Sequence, residues 1–296
     1  MIRSFFCFFD LTKLIFAMMQ TKKLLFFTLF VFIFLFPGSI GAQNQSTNSI
    51  ILIETNFGNI KLMLYKDTPK HRQNFLQLVE NKHFDGTLFY RVIKGFVLQG
   101  GSQDSRDASP GRQIGYGSSN RTIESEFHTK YFHKKGALAA PRQPDKVNIF
   151  KESDVSQFYI THGRVYTPDE LLALEKAVNV PLRKQIVKRY LTPSKRKILD
   201  SLKKAKKVDE FRAIANKIKS QISFDYESSN EKLIFTDAQK KAYTTVGGVP
   251  HLDNNYTVFG EVVAGFDVID KIAKLETDQY DRPRKDVKMK LRILKY

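Results

Sequence analysis

Arg91 and Gln99 are the side chains of this sequence placed to do chemistry. They stand inside two apolar runs, Leu88–Ile93 and Phe96–Gln99, which read as short strands parted by Lys94-Gly95 and ended by Gly100-Gly101. A guanidinium is almost never buried without a partner, so Arg91 either pairs with an acid inside the fold or faces a cleft. A second polar side chain in the adjoining run, Gln99, favours the cleft. Such a pair offers positive charge and hydrogen bonds beside an apolar wall, but no nucleophile. Other chemistries find little footing. The single cysteine, Cys7, lies in an N-terminal apolar region, so thiol chemistry and thiolate metal sites are not expected. His251 and Asp253 are too few to ligate a metal, and Gly100–Gly117 lacks phosphate-loop spacing. No cofactor and no metal is expected.

The 18 residues from Phe84 to Gly101 resemble the signature of the cyclophilins, the cyclosporin-type peptidyl-prolyl cis-trans isomerases. That pattern is Phe-x-Gly-x-x-Phe-His-Arg, a short apolar turn, Gly-Phe and Gln-Gly-Gly; here Tyr90 stands where His is usual. Gly136–Arg142, Ser156–Thr161, Gly247–Asp253 and Tyr256–Val262 are similar to further family segments. The resemblance implies a mainly β fold, a closed eight-stranded antiparallel barrel with two helices. It implies a peptidyl-prolyl cis-trans isomerase acting on Pro-containing polypeptide clients, with Arg91 as the catalytic cation and Gln99 beside it. Phe96, Val97, Tyr159 and Leu252 would form the proline pocket, and Ala140 and Arg142 would line the groove, mainly through backbone. With Tyr90 the chain departs from the pattern at four places, of which Tyr90, Pro141 and His251 bear on the rate. His251 stands where many members carry an indole, Tyr256 where others have a histidine, and Pro141 where a small groove residue is usual. A peptide-binding chaperone or scaffold with little turnover is the alternative.

The elements that must hold these residues are legible in the patterning. Ser49–Thr55 and Asn59–Tyr65 flank Asn56-Phe57-Gly58 and alternate as a β-hairpin with one buried face. Thr68-Pro69 starts a helix reaching about Asn81, with Thr68 as its N-cap, Phe75, Leu76 and Val79 inward, and His71 on the solvated face. Phe266–Ala273 reads as a short helix with Phe266, Ile269 and Ile272 facing in, and Val287–Leu294 as a last half-exposed strand.

The family resemblance covers 49–163 and 244–296. Residues 164–243 between them read as an inserted α-helical segment, with capping boxes at Thr167–Glu170 and Thr236–Gln239 and a helix start at Thr192-Pro193. This segment carries 19 Lys/Arg against 10 Asp/Glu. It is either a solvated bundle on the barrel or a basic arm that grips clients. Ahead of the barrel, residues 1–42 read as a signal peptide: Lys22-Lys23, then 13 residues, Leu24–Phe36, apolar but for Thr28, then small residues. Residues 43–48 form a polar linker. Cleavage near Ala42 implies a periplasmic protein resembling the exported bacterial type of the family; an uncleaved leader would instead anchor it in the inner membrane. Translation starts at Met1, Met18 or Met19. The net charge of +18 suits contact with polyanions or a membrane surface, with nucleic acid disfavoured.

Overall fold

The computed structural model describes residues 49–117 and 121–294. The leader and linker readings of residues 1–48 lie outside them. β1 (Ile50–Thr55) and β2 (Gly58–Leu64) form the expected hairpin, with Ile53 opposite Ile60. Helix α1 (Pro69–Glu80) follows, then β3 (Phe89–Val92), β4 (Val97–Gly100), β5 (Thr122–Ile123), β6 (Ala137–Ala139), β7 (Ser153–Asp154) and β8 (Phe158–Thr161). Five helices come next: α2 (Pro168–Val178), α3 (Val180–Tyr190), α4 (Pro193–Lys204), α5 (Val208–Glu227) and α6 (Asp237–Thr245). β9 (Val258–Ala264), α7 (Phe266–Ile272) and β10 (Met289–Leu294) complete the order.

Eight strands make one curled antiparallel sheet in the order β10-β1-β2-β9-β6-β8-β4-β3, and β5 pairs with β7 apart from it. The expected closed barrel is not formed. Its edges, β3 and β10, touch through one bridge, Leu88 with Lys288, just ahead of both strands. From that bridge the antiparallel strands run in opposite directions, so their ladders never overlap.

Each face of the sheet has its own apolar cluster. On one face Leu98, Leu138 and Ile160 meet α1 and α7 through Phe75, Val79, Val268 and Ile269. Phe75, Phe84 and Phe158 pack there at centroid spacings of 5.2 to 5.5 Å, two of the three contacts edge-on. Each buried ring contributes roughly 1.5–3 kcal/mol. The other face carries Val97, Ala139, Tyr159 and Val258, covered by Val249 and Leu252. That second face is the one that matters for function.

Helix α1 departs from its reading in two ways. Thr68 makes no side-chain cap. Glu126 reaches in from a distant loop instead, accepting from the Lys70 and His71 backbone N–H groups at 3.0 Å each. The same carboxylate holds His71 Nδ1 at 2.6 Å, and His71 is buried, not solvated. His71, Phe75 and Val79 are spaced by four and form the inner stripe, so the histidine entered the core because an acid waits there. In α7 the inward residues are Val268, Ile269 and Ile272, whereas Phe266, at the first position, stays 39% exposed with its ring against Gly136.

The helical segment is tied down where it leaves and returns. Arg164 and Gly248 exchange backbone hydrogen bonds of 3.1 and 2.9 Å. Gly248 must lack a side chain, because a Cβ there would lie 2.3 Å from the His133 carbonyl oxygen. Both capping boxes form, at Thr167–Glu170 and Thr236–Gln239, and Thr192 caps α4. Leu171, Phe235 and Tyr243 make a small core of their own, and α6 runs to Thr245, two residues past the expected boundary.

Burial pushes the Glu126 carboxyl pKa up, but hydrogen bonds from the His71 ring and the His71 and Lys70 backbones outweigh it and leave the value lowered. A lowered carboxyl stabilises above its unfolded pKa, near 4.3, and that stability fades as pH falls through the folded value. Replacing Glu126 by Gln should therefore cost about 1–2 kcal/mol at neutral pH. The gap to wild type should narrow as pH falls below about 4. Urea denaturation at pH 7 and pH 3.5 measures both; an equal gap at the two values would contradict this account.

Candidate active site

The pairing of β3 with β4 is irregular at one point. Phe89 lies opposite Gly100 and Arg91 opposite Gln99, so Tyr90 is an extra residue. In such a bulge two neighbouring residues turn to the face of the one they oppose. Phe89 and Val92 therefore stay in the core, while Tyr90 and Arg91 join Gln99 on the other face. The register continues across the sheet, Gln99 opposite Tyr159 and Tyr159 opposite Ala139. Arg91, Gln99, Tyr159 and Ala139 thus form one row over four strands.

Around this row the apolar residues close up. Val97, Tyr159 and Leu252 are buried, and Phe96 and Tyr256 stand half-buried over them. His251 stacks on Phe96 at 5.8 Å with 7° between the rings, and its partial burial there lowers its pKa. Tyr256 is set edge-on to Tyr159 at 6.0 Å and lies under the Arg142 guanidinium at 4.9 Å. Arg142 is anchored by the Asn255 carbonyl at 2.6 Å and Asp145 at 2.6 Å. The result is an apolar floor with an aromatic rim.

The polar end has a support of its own. Gln99 Nε2 donates to the Tyr90 hydroxyl, which in turn donates to Gln157 Oε1. Burial, then Asp154 and Asp104, push the Tyr90 phenol above its usual range, so it remains a neutral donor. Gly115 faces this ring with φ +112°, and a Cβ there would meet it at 3.1 Å. A cavity of about 350 Å³ opens beside Gln99, bounded by Pro141, Arg142, Glu152 and Gln157.

Arg91 is 38% exposed, and its Nε lies 3.4 Å from Asp281, itself 44% exposed. A pair this open to water is worth about 1 kcal/mol or less. Among the described residues neither Nη group of Arg91 makes a hydrogen bond. Its guanidinium lies 5.9 Å from the centre of the Phe96 ring. The adjacent Arg282 is the opposite case. It is buried and saturated, bonded to Asp286 and to the carbonyls of Ala108 and Ser109. Arg282 fixes the loop that brings Asp281 to Arg91.

Of the residues expected from sequence, Arg91, Gln99, Phe96, Val97, Tyr159, His251, Leu252 and Tyr256 come together here, with Arg142 and Pro141 along one side. Ala140 does not face the groove. Its side chain joins the opposite core, and its N–H is taken by the Thr257 carbonyl at 3.1 Å. Tyr90, Gln157 and Asp281 were missed. The polar Gln157 amid the apolar strand residues Phe158–Ile160 was the one available signal; Asp281 lies 190 residues from Arg91 and gives none.

A sequence model described as cyclophilin type peptidyl-prolyl cis-trans isomerase/CLD matches residues 50–178 and 236–292. A Streptococcus pyogenes protein whose name pairs a phosphatase with a peptidyl-prolyl cis-trans isomerase is 29% identical over 244 residues, 81% of this chain and 37% of that one. A spliceosome-associated protein CWC27 homolog of Danio rerio is 35% identical over 135 residues, 45% of this chain and 26% of that one. This chain thus spans between a quarter and two fifths of these relatives' lengths. A solved cyclophilin type peptidyl-prolyl cis-trans isomerase of Cryptosporidium parvum superposes with a TM-score of 0.47 at 18% identity, over 84% of this chain and 99% of that one.

Changing Tyr90 to Phe keeps the ring against Gly115 and deletes the hydroxyl between Gln99 and Gln157. The loss of a buried bridging group should lower stability by about 1–2 kcal/mol in urea titration. An unchanged midpoint would show that the two amides do not depend on it.

Proposed function

The chain belongs to the cyclophilin-type peptidyl-prolyl cis-trans isomerase family, and from that premise we propose that it catalyses rotation about X-Pro bonds in exported polypeptides and so assists their folding. An X-Pro bond turns in tens of seconds because rotation breaks amide resonance, against a barrier of about 20 kcal/mol. No covalent intermediate is needed. The apolar floor of Val97, Tyr159 and Leu252, with Phe96 and Tyr256 at its rim, would hold the five-membered ring while the preceding carbonyl turns. Gln99, braced by Tyr90, would bond the substrate backbone.

Arg91 supplies the chemical step in this reading. As the bond twists, the imide nitrogen becomes pyramidal and its lone pair, no longer shared with the carbonyl, localises there. A guanidinium N–H directed there is favoured more in the twisted state than in either planar state, which is what accelerates the reaction. A charge-assisted hydrogen bond is worth roughly 1.5–3 kcal/mol net, on the order of 10- to 100-fold in rate. Asp281 engages Nε and leaves the outer nitrogens for this task. The observation that carries the reading is the half-exposed Arg91, its Nη groups unbonded among the described residues, in one row with Gln99 and Tyr159.

The rival reading, a peptide holder with little turnover, rests on Tyr90, Pro141 and His251 in place of the usual residues. A coupled isomerisation assay separates the two. Wild type should accelerate the interconversion, and Arg91→Ala should lower kcat/KM by about 10- to 100-fold while peptide affinity changes little. A wild type that binds peptide without acceleration, or an Arg91→Ala variant as active as wild type, would rule out this mechanism.

The exported-client part of the reading rests on the leader. N-terminal sequencing of the protein made in a bacterial host, after fractionation, should give a periplasmic chain starting near residue 43. A cytoplasmic chain retaining Lys22-Lys23 would contradict export, and a membrane-bound one would identify an anchor.

A further inference from the structure

One buried polar chain, unused by that chemistry, runs from the helical segment to the floor of the pocket. It centres on Asp253, whose side chain is 3% exposed. Oδ1 accepts from the backbone N–H of His133 at 2.9 Å and contacts His133 Nδ1 at 2.9 Å. Oδ2 accepts from the Tyr243 hydroxyl at 2.6 Å and from Gln239 Nε2 at 2.9 Å, both on α6. The other ring nitrogen of His133, Nε2, lies 2.9 Å from the hydroxyl of Tyr159. With Nδ1–H directed at the carboxylate, Nε2 accepts a hydrogen bond from the Tyr159 hydroxyl. Burial pushes the Tyr159 and Tyr243 phenols well above their usual range, so both stay protonated donors.

The chain has no slack. Both carboxylate oxygens carry two donors, both histidine nitrogens are engaged, and every member is buried. The imidazole also lies nearly parallel to the Tyr159 ring, 6.0 Å away at 15°, and edge-on to Tyr256 at 6.4 Å. Its position therefore sets the floor of the pocket and one wall together. A shift of α6 would reach Asp253 directly and Tyr159 two hydrogen bonds later. The Tyr159 hydroxyl points into this chain, so the chain fixes the orientation of the ring.

Resting on the proline-pocket reading, we propose that Tyr243 and Gln239 of α6 are positioning residues for substrate. Through Asp253 and His133 they hold Tyr159 in the orientation that receives the proline ring. The helices between β8 and β9 thus tune how tightly a client is held, and Arg91, on the far side of Gln99, is untouched by them.

The test is a double-mutant cycle with a spectroscopic control, in the full chain. Tyr243→Phe keeps the ring and removes the donor; if it does not fold, Gln239→Met is the second variant. The probe is an Ala-Pro-containing tetrapeptide, its Kd read by NMR titration without reliance on turnover. Tyr243→Phe should weaken binding by about 3- to 10-fold, within the range of coupling between networked residues. It should shift the His133 ring-nitrogen signals and leave kcat within about two-fold, since a uniform binding loss spares the chemical step. In a Tyr159→Phe background the same substitution should have no further effect on Kd. Unmoved His133 signals, or an equal loss of affinity with and without the Tyr159 hydroxyl, would overturn the proposal. A wild type that binds no peptide would remove the proline-pocket reading and the role of Tyr243 with it; the His133 signals would still report separately whether the link exists.

Discussion

One residue too many in a four-residue strand decides where the charge of Arg91 goes. With strict alternation Phe89 and Arg91 would share a face, and either a phenyl ring would be expelled or a guanidinium driven into the aromatic core. The bulge at Tyr90 removes the conflict. It keeps Phe89 against Phe158 and sets Arg91 across from Gln99 on the face where a cavity opens beside Gln99. The sheet register carries the consequence outward to Tyr159, and the loop bearing Leu252 covers what is left.

The two arginines near this point show how burial separates structure from chemistry. Arg282 has a carboxylate and two carbonyls and has withdrawn from water, the situation in which a buried cation is tolerable. Arg91 has one carboxylate at 3.4 Å on one nitrogen and remains open to solvent. A fully partnered guanidinium has nothing left to offer a twisting peptide bond. The neighbouring loop therefore does two things: it takes Arg282 as its anchor, and through Asp281 it limits how far Arg91 can swing.

Much of this was legible in the residue pattern. The hairpin, α1, the capping boxes of the helical segment and the run Phe84–Gly101 each depend on neighbours within a few positions, where spacing carries the information. What was not legible involves partners far apart in the chain. His71 looked solvated because Glu126, 55 residues away, could not be seen to meet it. Thr68 looked like a cap for the same reason. The sheet was expected to close, but strand count says nothing about the direction in which two edges leave a shared bridge. Asp253 sits within the recognisable run Gly247–Asp253, yet its four donors come from His133, Gln239 and Tyr243, which only the fold assembles.

The central claim is that a proline ring settles on Tyr159, Val97 and Leu252 while Arg91 faces the turning bond. Exchange spectroscopy on a proline peptide with a catalytic amount of the protein, combined with intermolecular NOEs, tests it in one sample. The account predicts accelerated cis–trans exchange, ring-proton NOEs to the Val97 and Leu252 methyl groups, and a shift of the Arg91 side-chain N–H signals on peptide addition. Exchange no faster than in buffer, or NOEs confined to residues away from this face, would contradict it.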